Sequence, residues 1–377
     1  MKERSLTWTL LLSPVVLGGG FLLVVWLPGR GSPGNQKPPS TKHADDPELR
    51  PRRRPSPQRR PPRPRPRAAV RPLDHLTDQG LRAIRRTLAL NKKDFAKAGF
   101  VPIPKPLPGD WRLGPGRNEE HQTWSQYTRA EPNGSKGRRR LLVMRRMGPC
   151  IARKRLHLEP LRRWMAAFFG RPTRWGEPLP FPDSGRPRRL TDGTGWRQHH
   201  AGAILRQLRD HVPDHAAALL AVTCEDLYPE PSWNFVFGMA TFRARVGVYS
   251  LARLYPSFDG QPWTPAAGRL GLLRALKLLT HETGHMFGIH HCRTFHCIMN
   301  GSNSLDESDR APLHLCPLCL SKLAWNLKLS LRRRYAALAR FLAHHGLKDE
   351  AVWYWRQSRR LARARARTPP SRRPRRP

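Results

Sequence analysis

The chain has 377 residues, with 69 Lys and Arg against 27 Asp and Glu and a formal net charge of +42 at pH 7. That length allows one sizeable domain or two small ones. Six cysteines in so long a chain establish no disulfide framework of the kind that builds small secreted domains. The charge is uneven: residues 50–67 hold nine Arg and no acid, and residues 356–377 hold ten Arg and no acid. Arg/Pro tracts of this kind bury no core and read as disordered or polyproline-like. They suit nucleic acid or anionic lipid as partners, and read more simply as solvated, compositionally biased tails.

In chain order, residues 1–5 form a short charged flank. Residues 6–27 carry no charge and are long enough to cross a membrane as a helix, although Pro14 and Gly18 to Gly20 weaken that helix. The run reads as a membrane anchor, with a cleaved signal peptide as the alternative. Lys2 and Arg4 precede it, and Arg30, Lys37, Lys42 and the Arg run follow, which leans the folded part toward the cytosol. Without an anchor the expected place is cytoplasmic or nuclear. Residues 28–69 read as a disordered Pro/Arg-rich linker, residues 70–350 as the folded domain, and residues 351–377 as a tail passing from helical to disordered.

Within the domain, Thr77 or Asp78 caps a helix predicted to run to about Ala98. Residues 102–116 and 131–137 are loops, and residues 181–195 are turn-rich. Strands are predicted over 139–147, 217–224, 234–241 and 246–251, and helices over 158–169 and 201–210, the latter stopped by Pro213. The aromatic run from Trp233 to Phe237 reads as core. Thr264 and Pro265 open a helix whose buried face is Leu272, Ala275, Leu276 and Leu279. After Cys319 a helix is expected to about His345, then a short one around Val352 to Tyr354. No internal repeat is visible.

The chemistry is concentrated in HETGHMFGIHHC, from His281 to Cys292. His281 and His285, four apart, share one face of a helix and can ligate zinc, with Glu282 placed to act as general base. Gly288 permits a left-handed turn that swings His291 back as a third imidazole. Three protein ligands with one position left open describe a catalytic rather than a structural zinc. Met299 lies where a Met-turn would. Cys292, Cys297, Cys316 and Cys319 form a second, interleaved set, C-x4-C followed by C-x2-C, suited to a closed structural zinc. Two zinc ions per chain are therefore expected. His290 adjoins His291, and His296 and His314 lie inside the cysteine set, where four thiols already satisfy zinc. That leaves Cys150 and Cys224, and their small number agrees with a cytosolic domain.

These residues resemble the archaemetzincins, a branch of the metzincin zinc peptidases. The likeness covers HETGHMFGIHHC, Cys297, Met299, the GSNSLDESDR run and CPLC followed by LSKL, and reaches upstream to DLYPEPSWNFVFG and VGVYSLAR. No motif residue departs from the family pattern. The resemblance implies an α/β, metzincin-like zincin domain: a mixed twisted sheet over an active-site helix, followed by a mainly helical part. It also implies that an edge strand pairs with extended substrate, for which Val246, Gly247, Val248, Tyr249 and Ser250 are the candidates, with an ordinary interior strand as the other reading.

The expected function is hydrolysis of peptide bonds in a peptide or protein substrate, using a zinc-activated water and Glu282 as base. The alternative from another class is a zinc-stabilised binding module for nucleic acid or a protein partner, with the basic tails as its working surface. A third is an intact site whose proteolysis is vestigial. Glu282 separates the first from the second, because a purely structural metal needs no carboxylate beside its first ligand.

Overall fold

The computed structural model describes residues 21–25, 72–134, 137–148, 150, 158–183, 189–190, 197–231 and 234–366. The strands are β1 (Phe21–Val25), β2 (Leu141–Met147), β3 (Thr173–Trp175), β4 (Arg189–Leu190), β5 (Arg197–His200), β6 (Ala216–Thr223), β7 (Asp226–Tyr228), β8 (Val236–Thr241) and β9 (Val246–Ser250). The helices are α1 (Asp78–Leu88), α2 (Trp124–Arg129), α3 (Glu159–Phe169), α4 (Ala201–Asp210), α5 (Pro265–Met286), α6 (Leu305–Arg310), α7 (Pro317–Leu327), α8 (Leu331–His344) and α9 (Lys348–Ala366). This is an α/β fold with a mixed main sheet and a helical C-terminal part.

The main sheet has the order β1-β8-β9-β6-β2-β3. β8 runs antiparallel to both its neighbours, and the other pairings are parallel. β6 explains the layering. Its eight residues, AAALLAVT, are all buried. Leu220 and Val222 join the core cluster that contains Leu276 and Leu279 of α5. Leu219 and Ala221 join a second cluster with Ile204, Leu205 and Leu208 of α4. A strand covered on both faces needs apolar residues at every position, so it reads as a run and not as an alternation. β4, β5 and β7 make a separate small sheet.

α5 begins as its sequence dictates: the Thr264 hydroxyl accepts from the Ala267 N–H at 3.0 Å, and Pro265 sits where no amide is needed. Its other end is held from outside. Asn133 Nδ2 donates to the Met286 carbonyl (3.2 Å), Tyr127 Oη to Phe287 (3.0 Å) and Gln122 Nε2 to Gly288 (2.9 Å). Carbonyls that helix geometry leaves unpaired are thus taken by donors from distant chain segments.

Several expectations are corrected. The helix from Asp78 stops at Leu88, because Ala89 takes a left-handed conformation, φ 51°. The single helix expected after Cys319 is two, broken at Lys328, φ 53°. Regular structure does not fade after residue 354: α9 runs to Ala366, and its Gln357 donates to the Ala98 carbonyl at 2.6 Å. Of the 6–27 run, the described residues Phe21–Val25 are not helical but pair as β1 with β8. Among the described residues no helix is long and apolar enough to cross a membrane. A short run ending Val24-Val25 satisfies its backbone through β8, so its apolar character alone did not specify a helix. Cys150 and Cys224 form a disulfide with Cα atoms 5.2 Å apart, which removes the cysteine argument for a reducing compartment. The remainder of residues 6–27, the 28–69 linker, Trp233 and the last eleven residues lie outside the described residues.

The predicted substrate-pairing strand is also corrected. Val246, Gly247, Val248, Tyr249 and Ser250 are all buried in β9, which pairs with β6 on one side and β8 on the other. Neither edge of β9 is open to a peptide. An apolar run of strand length looks the same whether one or both edges are paired, and strand order is set by partners far away in sequence.

Candidate metal centres

The last turns of α5 carry His281, Glu282 and His285, all buried. The helix ends after Met286, and Gly288 adopts φ 79°, with the Ile289 N–H returning to the Gly284 carbonyl at 3.1 Å. A side chain at Gly288 would stand 2.6 Å from Pro132 Cβ, so the turn needs glycine for its conformation and for its space. The turn brings His291 back: ligand atoms of His281, His285 and His291 all lie within 4.8 Å of one another.

The outward nitrogens fix the tautomers. Nδ1 of His281 donates to the Ile298 carbonyl at 2.7 Å, and Nδ1 of His285 to the Ile289 carbonyl at 2.6 Å. Nδ1 of His291 donates to Glu119 at 2.8 and 2.9 Å. With a proton on each Nδ1, each Nε2 of a neutral ring presents a lone pair. These lone pairs face one another, His285 to His281 at 2.9 Å and His281 to His291 at 3.3 Å. Such acceptors cannot hydrogen-bond to each other, but nitrogens about 2.0–2.1 Å from a common zinc would be spaced this way. Burial holds His281 down to about 3 and His285 well below its ordinary value, keeping both neutral and available to a metal. The donor set therefore fits zinc.

Glu282 is fully buried, and neither carboxylate oxygen has a hydrogen-bond partner. Burial pushes it up to about 8. Beside His281 and Glu282, Phe237, Leu254, Leu278 and Ile298 line an apolar hollow. The two cations bordering it are already engaged, Arg274 with Asp309 at 2.6 Å and Lys277 with the Ser308 and Asp309 carbonyls.

The second cluster lies directly behind the first. Cys292, Cys297, Cys316 and Cys319 place their sulfurs within 4.8 Å of one another, all buried. The Cys292–Cys316 separation of 3.7 Å is far beyond a disulfide but close to the edge of a tetrahedron with about 2.3 Å zinc–sulfur bonds. Backbone N–H groups of Cys316 and Met299 point at Cys297 Sγ (3.2 and 3.4 Å), and that of Cys319 at Cys316 Sγ (3.4 Å). Amides aimed at sulfur favour thiolate, so this set also fits zinc. Met299 joins the two clusters: its carbonyl accepts from the Cys292 N–H at 2.7 Å, while its side chain is buried under Gly284.

Glu119, Trp111 and Gln122 were not anticipated from sequence. Glu307 accepts the Trp111 N–H at 2.9 Å, the Trp111 indole donates to Glu119 at 3.0 Å, and Glu119 in turn holds His291. Burial raises the Glu119 pKa, but hydrogen bonds from His291 and Trp111 more than reverse this and leave it below its ordinary value. The GSNSLDESDR run is thereby connected to the third imidazole. The only sequence signal was two adjacent acids, Glu119-Glu120, in a chain with few of them. His290 is exposed, and His314 is half-buried in a stack with Trp353, centroids 3.7 Å apart, so neither joins a cluster.

Three inward imidazoles on a helix and its returning turn, with a carboxylate between the first two, define a zincin-type metallopeptidase site. A model of peptidase family M54 matches residues 200–325. Human archaemetzincin-2 is 34% identical over 273 residues, covering 64% of this chain and 74% of the relative. Human archaemetzincin-1 is 35% identical over 41% of this chain and 35% of its own length. A solved archaemetzincin from Methanopyrus kandleri is 30% identical and covers 52% of this chain and 98% of that one, with a TM-score of 0.39. The chain belongs to the archaemetzincin family and is a zinc metallopeptidase.

Proposed function

We propose that this chain hydrolyses peptide bonds with Glu282 as general base, and that it carries two zinc ions, one on His281, His285 and His291 and one on the four cysteines. The observation that carries the reading is Glu282. A buried carboxylate without a single donor is costly, and such a group persists where chemistry uses it. Zinc on the three imidazoles supplies a Lewis acid that polarises the scissile carbonyl and eases deprotonation of the attacking water.

The chain's own residues do the rest. Glu282 takes the proton of that water and returns it to the leaving amine. Burial raises its proton affinity, which favours its taking a proton from water. Ile298, Ile289 and Glu119 hold the three rings in the metal-binding tautomer, so no reorganisation is needed when metal arrives. The hollow lined by Phe237, Leu254, Leu278 and Ile298 suits an apolar side chain next to the scissile bond.

The test is cleavage of an unbiased peptide library by the full chain. Glu282→Gln keeps size and every ligand, and is expected to retain zinc and melting temperature while losing about 100-fold or more in turnover. Cleaved peptides should be enriched in an apolar residue beside the cut. Cleavage unchanged in Glu282→Gln would assign the activity elsewhere. Absence of cleavage in both forms would move the reading to a binding module or a vestigial site.

A further inference from the structure

α9 turns one face toward the segment after α1 and leaves a cavity of about 590 Å³ between them. Its walls carry Arg356, Arg359, Arg360 and Arg363 together with Lys97, against one carboxylate, Asp94. The arginines follow i, i+3, i+4, i+7 spacing, so they form one stripe on the helix. Two like-charged i,i+4 pairs, Arg356 with Arg360 and Arg359 with Arg363, repel one another along it. None of the five cations takes part in an ion pair among the described residues.

Arg360 forms the floor. Its Nη1 donates to the Leu88 carbonyl at 2.8 Å and its Nε to Gln357 Oε1 at 3.1 Å, which fixes the guanidinium plane. Its Nη2 is buried and has no partner. The exposed guanidinium groups of Arg356, Arg359 and Arg363, set beside Arg360 and Lys97 around one cavity, form an arrangement that an anion completes.

We propose that this cavity binds a compact, multiply phosphorylated polyol, either free or as the headgroup of a lipid. Phosphate oxygens match the arginine forks and relieve the repulsion along the stripe. No aromatic side chain lines the cavity, so it offers no stacking platform for a nucleobase. Asp94 provides an acceptor for hydroxyl groups, which a polyol has and a bare phosphate chain lacks. The volume is in the range of small-ligand sites.

The experiment uses the full zinc-loaded chain and calorimetric titration with inositol trisphosphate at fixed ionic strength. Saturable binding is expected, tighter than for ATP. Replacing the three exposed arginines, Arg356→Gln, Arg359→Gln and Arg363→Gln together, should weaken it about tenfold or more, the scale of lost charge-assisted hydrogen bonds. Arg360 is left intact in that variant, and an unchanged melting temperature shows that folding is not what changed. An equal-charge control, Arg332→Gln, Arg333→Gln and Arg340→Gln, removes exposed cations that do not line the cavity and should leave affinity within about twofold. Equal losses in both variants, no saturable binding, or tighter binding of ATP overturns the proposal. Vesicles of phosphatidylcholine with phosphatidylinositol bisphosphate then identify the source: recruitment supports the headgroup form, and binding of the soluble polyol alone supports the free form. Equal recruitment to phosphatidylserine vesicles of matched charge would reduce the effect to surface charge and overturn it.

Discussion

The three-imidazole and four-thiol clusters are built from one short stretch, yet they differ in every respect that matters for chemistry. The thiol cluster is self-contained: four buried sulfurs and the amides of its own loops. The imidazole cluster borrows Glu119, 172 residues away in sequence, borders an apolar hollow and keeps an unpartnered carboxylate beside it. A closed metal set spends its binding free energy on folding, whereas an open one holds donors in reserve for a reaction.

The largest effect should come from breaking the closed cluster. Cys316→Ser removes a ligand whose N–H and sulfur both serve the cluster, at the N-cap of α7. Structural zinc in small domains contributes on the order of 10 kcal/mol, which exceeds most domains' net stability. The variant should fail to fold cooperatively, as read by circular dichroism and thermal melting. A stable variant with unchanged zinc content would refute the closed site.

His285→Ala should separate the clusters. Plasma emission spectrometry should find two zinc ions in the parent and one in the variant, with peptide cleavage lost but a cooperative melt retained. Mild chelation of the parent should remove the same ion first, since it has fewer ligands and an open side. Loss of both ions on His285→Ala would mean that the clusters fold as one unit and that the comparison fails.

Much of this was legible in the sequence because it is local. His281, His285, Gly288 and His291 are related by one helical turn and one glycine turn, and the cysteines by loop spacing, so their convergence needs no knowledge of the rest of the chain. The apolar run of β6 as a strand and the Thr264–Pro265 start of α5 were readable for the same reason. What could not be read is what crosses long separations. β9 was read as either an edge or an interior strand, and β8, whose own far side pairs with β1, makes it interior. Glu119 reaches His291 from a loop without periodicity, and Cys150 meets Cys224 across 74 residues. Lys328 breaks a helix although lysine is a good helix former, because tertiary packing and not propensity decides where that helix turns.

Glu119→Gln sharpens the comparison at smaller scale. Two of the three outward imidazole nitrogens donate to carbonyls, which substitution cannot alter; His291 alone has a side-chain partner. Glutamine keeps an acceptor but removes the charge that makes His291 a better ligand. Zinc affinity of the imidazole cluster should fall about 10- to 100-fold by chelator competition, with the thiol cluster unaffected. An equal fall at both clusters would point to a general loosening and not to orientation of one ring.

The smallest effect tests the one element the clusters share. Met299 lies under α5 because Gly284 has no side chain; a Cβ there would stand 2.5 Å from the Met299 sulfur. Gly284→Ala lies inside a helix, where the exchange by itself favours folding by about 1 kcal/mol. Crowding a packed core costs about 1–3 kcal/mol, and Met299 has little room because its backbone is fixed at Cys292 and Cys297. The clash should therefore win narrowly, for a net loss of about 0–2 kcal/mol in denaturant unfolding. The informative readout is where the loss appears. Met299 touches the thiol cluster through its backbone and the imidazole helix through its side chain, so its displacement should weaken zinc at the imidazole cluster while thiol-bound zinc stays. Stabilisation by Gly284→Ala, with both zinc affinities unchanged, would show that the methionine moves freely and that the two clusters are not mechanically joined through it.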